Sequence, residues 1–418
     1  MWIRLRPALS VLALLVALAV APTVAGGVAL QDSGPAYTVR ERFGIGVAPS
    51  WPDDPSFPGL LSDFPNVEQL GFGWYTDWTY RTNPEQPEGI EFVQLIGTRR
   101  VPTWPPLQKL FLPLVTKRLS GSALVARWAP GTPGSALESL PQSRWQMQSW
   151  PLTWTSLGDA IRANPGALWI AGNEPETRGQ GELTPEEYAD IYHDVYHFVK
   201  GIDPTAQVAI GGVVMPSPLR LQWLDRCLDH YKETYGETMP IDVWNIHMQI
   251  LREKRYESYP GASDNWGCGI PFGLEEDEGR LYNIVDNCDL DIFTQLITEF
   301  CTWLNERGER GKPVIISEYG VLMPSSYLDH GDQDVIDFML GTFEYMLHTI
   351  DPQLGWAADG GRLIQRWAWF SLNVPMHYDE ENDWWVGFNG WLYDWQETHD
   401  FTVFGEAYRD YIDYNLSQ

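Results

Sequence analysis

The sequence is poor in three things that mark large classes of protein: cysteine, basic charge and long apolar runs. Of its 418 residues only four are cysteines, Cys227, Cys268, Cys288 and Cys301, and none has the CxxC spacing of a zinc site. Lys and Arg number 28 against 56 Asp and Glu, a formal net charge of −28. Such a surface repels phosphate backbones and anionic headgroups, which argues against a nucleic-acid partner. Past the N-terminus no run is long and apolar enough to cross a bilayer. A P-loop, a dinucleotide fingerprint and a Ser-centred elbow are also missing, so no cofactor is expected. His193 and His197 lie four apart without a glutamate between them; they read as a solvated helix face, and no metal site is expected.

What is present begins with Arg4 and Arg6, an apolar stretch to about Val20, and the small residues Thr23 and Ala25. This is the pattern of a secretory signal peptide over residues 1–25. A linker over 26–40 and one domain over 41–418 are expected to follow. The exported chain is expected to be an extracytoplasmic monomer with no membrane span after signal removal. Export permits disulfides. Cys268 and Cys288 sit in a polar Gly- and Asp-rich segment, where a bridge would close a loop of about 20 residues. Cys227 and Cys301 fall on apolar helix faces and read as buried thiols. The 21 Trp and 19 Tyr supply flat apolar faces suited to neutral ligands such as sugars.

From Phe43 onward short β-branched or aromatic runs alternate with helical stretches, the signature of parallel strands joined by crossover helices. Eight strands are predicted near Phe43–Val47, Gln69–Trp74, Phe92–Ile96, Ala167–Ala171, Val208–Val213, Val243–Met248, Val314–Ser317 and Leu363–Phe370. Thr184, Pro185 and Glu187 form a capping box with proline in the first turn, and a last helix is predicted near Glu406 to Tyr414. The fold class is therefore α/β, a (β/α)8 TIM barrel. A Pro-, Ser- and Trp-rich stretch over about 97–150 reads as an insertion after strand three.

Barrel chemistry sits at the C-terminal ends of strands. Strand four ends in Gly172-Asn173-Glu174-Pro175 and strand seven in Ser317-Glu318-Tyr319-Gly320. Retaining hydrolysis of a glycosidic bond needs one carboxyl group to protonate the leaving oxygen and a second, roughly 5 to 5.5 Å away, to attack the anomeric carbon. Three βα units separate Glu174 from Glu318, which lets the two converge over the barrel axis. The charge on Glu318 is expected to raise the pKa of Glu174. Glu176 reads as a solvated loop carboxylate, and core or rim packing is the plainer reading of Trp74 and Trp78.

These two segments resemble the strand-four and strand-seven motifs of glycoside hydrolase clan A. Asp242 to His247, Arg366 to Phe370, Trp74-Tyr75 and Phe92 to Leu95 add a looser likeness, from about Phe43 to Tyr411, to the glycosyl hydrolase catalytic-core family of endo-β-1,3-glucanases. The resemblance implies a secreted retaining hydrolase of β-linked poly- or oligosaccharides, with β-1,3-glucan the first candidate. It implies Glu174 as acid/base and Glu318 as nucleophile, with Asn173, His247, Tyr319, Trp369 and Trp74 binding substrate. One departure stands out: where that family has a strand-six tyrosine that bonds the nucleophile, this chain has Gln249, so either Tyr319 or another residue substitutes or the exact family is a different one. A carbohydrate-binding barrel without turnover and a cell-envelope surface protein are the alternatives.

Overall fold

The computed structural model describes residues 36–49, 57–100, 145–147, 153–255, 267–379 and 384–417. The expected signal peptide and most of the expected insertion lie outside them. Eight parallel runs follow in chain order: β1 Phe43–Gly46, β2 Trp74–Thr76, β3 (Glu91–Phe92 and Gln94–Ile96, interrupted at Val93), β4 Leu168–Asn173, β5 Gln207–Gly212, β6 Trp244–His247, β7 Val314–Tyr319 and β8 Arg366–Trp369. The fold is α/β. One sheet runs β3-β2-β1-β8-β7-β6 and a second runs β3-β4-β5. Parallel bridges join β5 to the β6 region at Ala209–Val243 and Val213–Ile246.

Seven of the eight strands lie where the sequence puts them. The exception is β2, which begins at Trp74. Val67–Leu70 is instead a 3-10 turn bounded by Asn66 and Gly71, both in the left-handed region at φ 60° and 78°. A glycine there stops the turn at little cost, and the apolar run only afterwards becomes extended. The ends of the expected insertion pair with each other, Thr98–Arg100 running antiparallel to Trp145–Met147.

Among the described residues six longer helices accompany the strands: α1 Trp154–Ala163, α2 Pro185–Ile202, α3 Pro218–Tyr235, α4 Leu290–Glu306, α5 Asp332–His348 and α6 Val403–Leu416. The α2 start is the expected capping box: the Glu187 amide donates to Thr184 Oγ1 (3.3 Å) and the Thr184 amide to Glu187 Oε2 (2.9 Å). The apolar face of α2, from Tyr188 to Val199, is buried. No helix among the described residues is long and apolar enough to cross a membrane. All four cysteines are free. The expected Cys268–Cys288 bridge is absent: Cys268 is buried with its thiol toward the Arg252 carbonyl, while Cys288 turns to the Val285 carbonyl. Cys227 and Cys301 are buried on α3 and α4 as expected.

Strand alternation sorts side chains into two layers. One face packs against the helices. The other gathers Trp74, Val93, Leu95, Leu168, Ile170, Ala209, Val243, Ile315 and Ala368. The Trp74 indole fills part of this second layer because β1 offers it Gly44: a Cβ there would lie 2.3 Å from the ring.

Candidate active site

The site grows from the C-terminal ends of β4, β6 and β7. Along β4, Leu168 and Ile170 point into the small cluster, and the same alternation carries Glu174 to that side. Its φ is 41°, and its amide donates to the Gly212 carbonyl at 3.0 Å. Along β6, Trp244 and Ile246 face the helices, leaving Asn245 and His247 on the opposite face.

β7 needs an additional device. Strict alternation from Ile315 would put Tyr319, not Glu318, on the Glu174 side. The register to both neighbours shifts after Ile316, a bulge of the kind that re-aims a side chain. Asn245 Oδ1 accepts the Ser317 amide at 3.2 Å, so a backbone donor inside this irregularity is satisfied. Past it, Glu318 joins Glu174 while Tyr319 turns to the helices.

His247 Nδ1 lies 3.1 Å from Glu174 Oε1 and 4.0 Å from Glu318 Oε2. One donor atom from each of Glu174, His247 and Glu318 falls within 4.8 Å of the others. That upper limit for one oxygen of each carboxylate is compatible with the roughly 5 to 5.5 Å between the carboxyl groups of a retaining pair. A carboxylate–imidazole trio can also hold a divalent cation. Here, though, both Glu318 oxygens already accept N–H donors, Oε2 from Trp78 Nε1 (2.8 Å) and Oε1 from Gln249 Nε2 (3.1 Å). Those bonds suit a free carboxylate and compete with a cation for its lone pairs.

Burial acts on all three groups. It pushes the Glu174 carboxyl up to about 8, with Glu176 adding to the rise and Arg220 opposing it. Burial also raises Glu318, which His247, Trp78 and Gln249 pull back and Glu174 pushes further up. His247 is lowered by burial and is neutral at pH 7. The rise at Glu174 thus comes from desolvation and Glu176, not from Glu318 as the sequence suggested.

Glu176 is not a solvated carboxylate. It is buried, accepting at Oε1 from Arg220 Nε (2.9 Å), the Val214 amide (2.9 Å) and Thr177 Oγ1 (3.2 Å). Arg220 also pairs with buried Glu253, which takes the Ser217 hydroxyl and the Arg280 amide. The triad ties together the segments that follow β4, β5 and β6. Arg220→Met leaves two carboxylates buried without their cation. It is expected to lower unfolding stability by about 3–5 kcal/mol, measured by urea denaturation; a change under about 1 kcal/mol would contradict the ion-pair account.

Gly212 matters for a different reason. A Cβ there would sit 2.3 Å from His247 Cδ2, so only glycine lets the imidazole reach Glu174. Gly212→Ala is expected to displace the ring and cut kcat/KM by about 10²-fold, the scale of a misplacement near 1 Å. Unchanged kcat/KM in a folded variant would show that the imidazole position is unimportant.

Of the residues expected to bind substrate, Asn173 and His247 are at the site. Asn173 ends β4 beside Glu174, with Oδ1 buried and unpartnered. Three others lie elsewhere. Trp74 belongs to the packed second layer, its Nε1 on the Arg42 carbonyl at 3.3 Å and the Arg366 guanidinium 4.8 Å from its ring. Tyr319 is buried against Trp369, its hydroxyl 3.3 Å from Thr342 Oγ1, so it cannot stand in for the missing tyrosine. Trp369 faces the helices and donates to the Gly390 carbonyl at 2.8 Å. Alternation turns the next ring the other way: Phe370 packs 5.1 Å from Trp78, making it the strand-eight aromatic beside the site. Sequence reasoning missed Trp78 and Gln249 as partners of Glu318. Gln249 carried a signal, since it stands where the resemblance expects the tyrosine; Trp78 carried none.

No protein-family model matches the sequence, and no curated protein matches it. Solved structures to which the chain is similar include a GH128 (subgroup II) endo-beta-1,3-glucanase from Pseudomonas viridiflava, at 14% identity over 88% of this chain and 96% of that one, TM-score 0.45. Another is a GH128 (subgroup I) endo-beta-1,3-glucanase from Amycolatopsis mediterranei in complex with laminaritriose, at 15% identity, 88% and 99% coverage and TM-score 0.46. A third is a GH128 (subgroup III) curdlan-specific exo-beta-1,3-glucanase from Blastomyces gilchristii in complex with glucose, at 16% identity, 88% and 97% coverage and TM-score 0.45.

Proposed function

We propose that the chain is an exported retaining glycoside hydrolase acting on β-linked glycans, with β-1,3-glucan the first substrate to test. The observation that carries this reading is the pair of buried Glu174 and partly buried Glu318, with a carboxyl oxygen of each within 4.8 Å of the other, in two unequal environments. We further propose that the eight parallel strands close as a (β/α)8 barrel. Support comes from the run of parallel pairings from β1 through β8 and back to β1.

In this reading Glu174 starts protonated. His247, neutral, donates its Nδ1–H to Glu174 Oε1, and the buried, unpartnered Oε2 carries the proton toward the glycosidic oxygen. Glu318, ionised and held by Trp78 and Gln249, attacks the anomeric carbon. The leaving oxygen takes the Glu174 proton, and a glycosyl ester forms on Glu318. Glu174, now charged, draws a proton from water, which attacks the same carbon and releases Glu318. Asn173 Oδ1, buried and unpartnered, is a spare acceptor for a sugar hydroxyl.

Two displacements at one carbon return the original configuration. Proton NMR during the first minutes of laminari-oligosaccharide hydrolysis should therefore show the β-anomer before mutarotation. First appearance of the α-anomer would reject the mechanism, and binding without hydrolysis would favour the carbohydrate-binding alternative. Saturating EDTA should leave the rate unchanged; loss restored by a divalent cation would favour the metal reading of the same trio.

A further inference from the structure

The departure at residue 249 has its own geometry. Gln249 follows β6 by two residues and is 2% exposed. Its amide donates to the Val214 carbonyl at 3.0 Å, which fixes the backbone. Glu318 Oε1 can only accept, so the side-chain amide must present Nε2 to it, at 3.1 Å. Trp78 approaches the other oxygen from the β2 side. The nucleophile is thus gripped at both oxygens by two neutral donors from opposite sides.

Resting on the glycosidase reading, we propose that Gln249 is the positioning residue for the nucleophile, taking the place of the family's tyrosine and, with Trp78, keeping Glu318 charged and aimed. The charged and titratable groups facing Glu318 are Glu174 from β4 and His247 from β6, with Glu176 and Arg220 behind Glu174. Trp78 and Phe370, from the β2 and β8 sides, are neutral. With Glu174 protonated in this reading, the ionised form of Glu318 is supported by His247 and by Trp78 and Gln249, the two N–H donors that bond its oxygens directly. The assignment also accounts for a cost in the fold: Gln249 Oε1 is buried without a partner, which an apolar side chain of similar length would avoid.

The test is the pH dependence of kcat/KM for wild type, Gln249→Met, Trp78→Phe and the double variant, with thermal unfolding measured on each. Methionine preserves the length of the side chain and removes both the donor and the orphan acceptor, so Gln249→Met should fold with unchanged or higher Tm. Removing a donor from the charged form raises the Glu318 pKa, so the acid limb should move to higher pH by about one unit. Trp78→Phe should move it the same way and the double variant further. A lower Tm with the limb at its wild-type position would make Gln249 merely structural and overturn the proposal. Hydrolysis that survives Glu318→Gln would instead overturn the glycosidase reading, and this inference with it.

Discussion

Glu318→Gln should lower kcat by on the order of 10⁵-fold, because an amide cannot form the glycosyl ester on which both steps depend. The fold should survive. The Glu318 carboxyl, partly buried, is raised by desolvation and by Glu174, so a neutral isostere removes an electrostatic cost and Tm should hold or rise. Trp78 would still find an acceptor in the new side-chain oxygen, and Gln249, with its amide turned, would present its unpartnered Oε1 to the new NH2 group. Loss of turnover with retained Tm and retained glycan binding is the expected triple result. Residual hydrolysis within about tenfold of wild type would remove Glu318 from the mechanism.

Glu174→Gln should cost about 10²–10⁴-fold on glycans, and the loss should depend on the leaving group. An aryl β-glycoside with an acidic phenol departs without a proton, so formation of its glycosyl-enzyme should be nearly spared. The pH profile supplies a second signature. Glu174 must be protonated for the first step and its pKa is raised to about 8, so wild-type kcat/KM should be sustained below that pH and fall as pH rises through it. Glu318 must be charged, so activity should also fall as pH drops through its own raised pKa, giving a bell. In Glu174→Gln the basic limb should vanish while the acid limb stays. A basic limb that persists would assign it to another group.

The parts of this architecture legible in the sequence are those with a local cause. The α2 capping box and the apolar strand runs depend on neighbours a few residues away, and Glu174 and Glu318 are found by standing at strand ends. Most misread features depend on distant partners. Glu176 looked solvated because Arg220 and Val214, which bury it, arrive from the β5 side. Tyr319 was offered by the family resemblance; the bulge, braced by Asn245 on another strand, turns it to the helices. Trp369 and Phe370 are adjacent aromatics, and only the pairing of β8 decides which faces the site. Trp78 reaches Glu318 across 240 residues of sequence, an approach no local pattern announces. The start of β2 was misplaced for the opposite reason: the left-handed Asn66 and Gly71 turn the chain locally, but an apolar run masked them.

The measurement that bears most directly on the mechanism is the mass of the peptide containing Glu318 after incubation with 2-deoxy-2-fluoro-β-laminaribiosyl fluoride. Fluorine at C2 slows both steps, and the fluoride leaving group restores the first, so a glycosyl ester should accumulate. The expected result is one added disaccharide on the Glu318 peptide, formed as hydrolysis is lost and absent in Glu318→Gln. A label on another residue, or no label while glycan hydrolysis proceeds with inversion, would contradict the account.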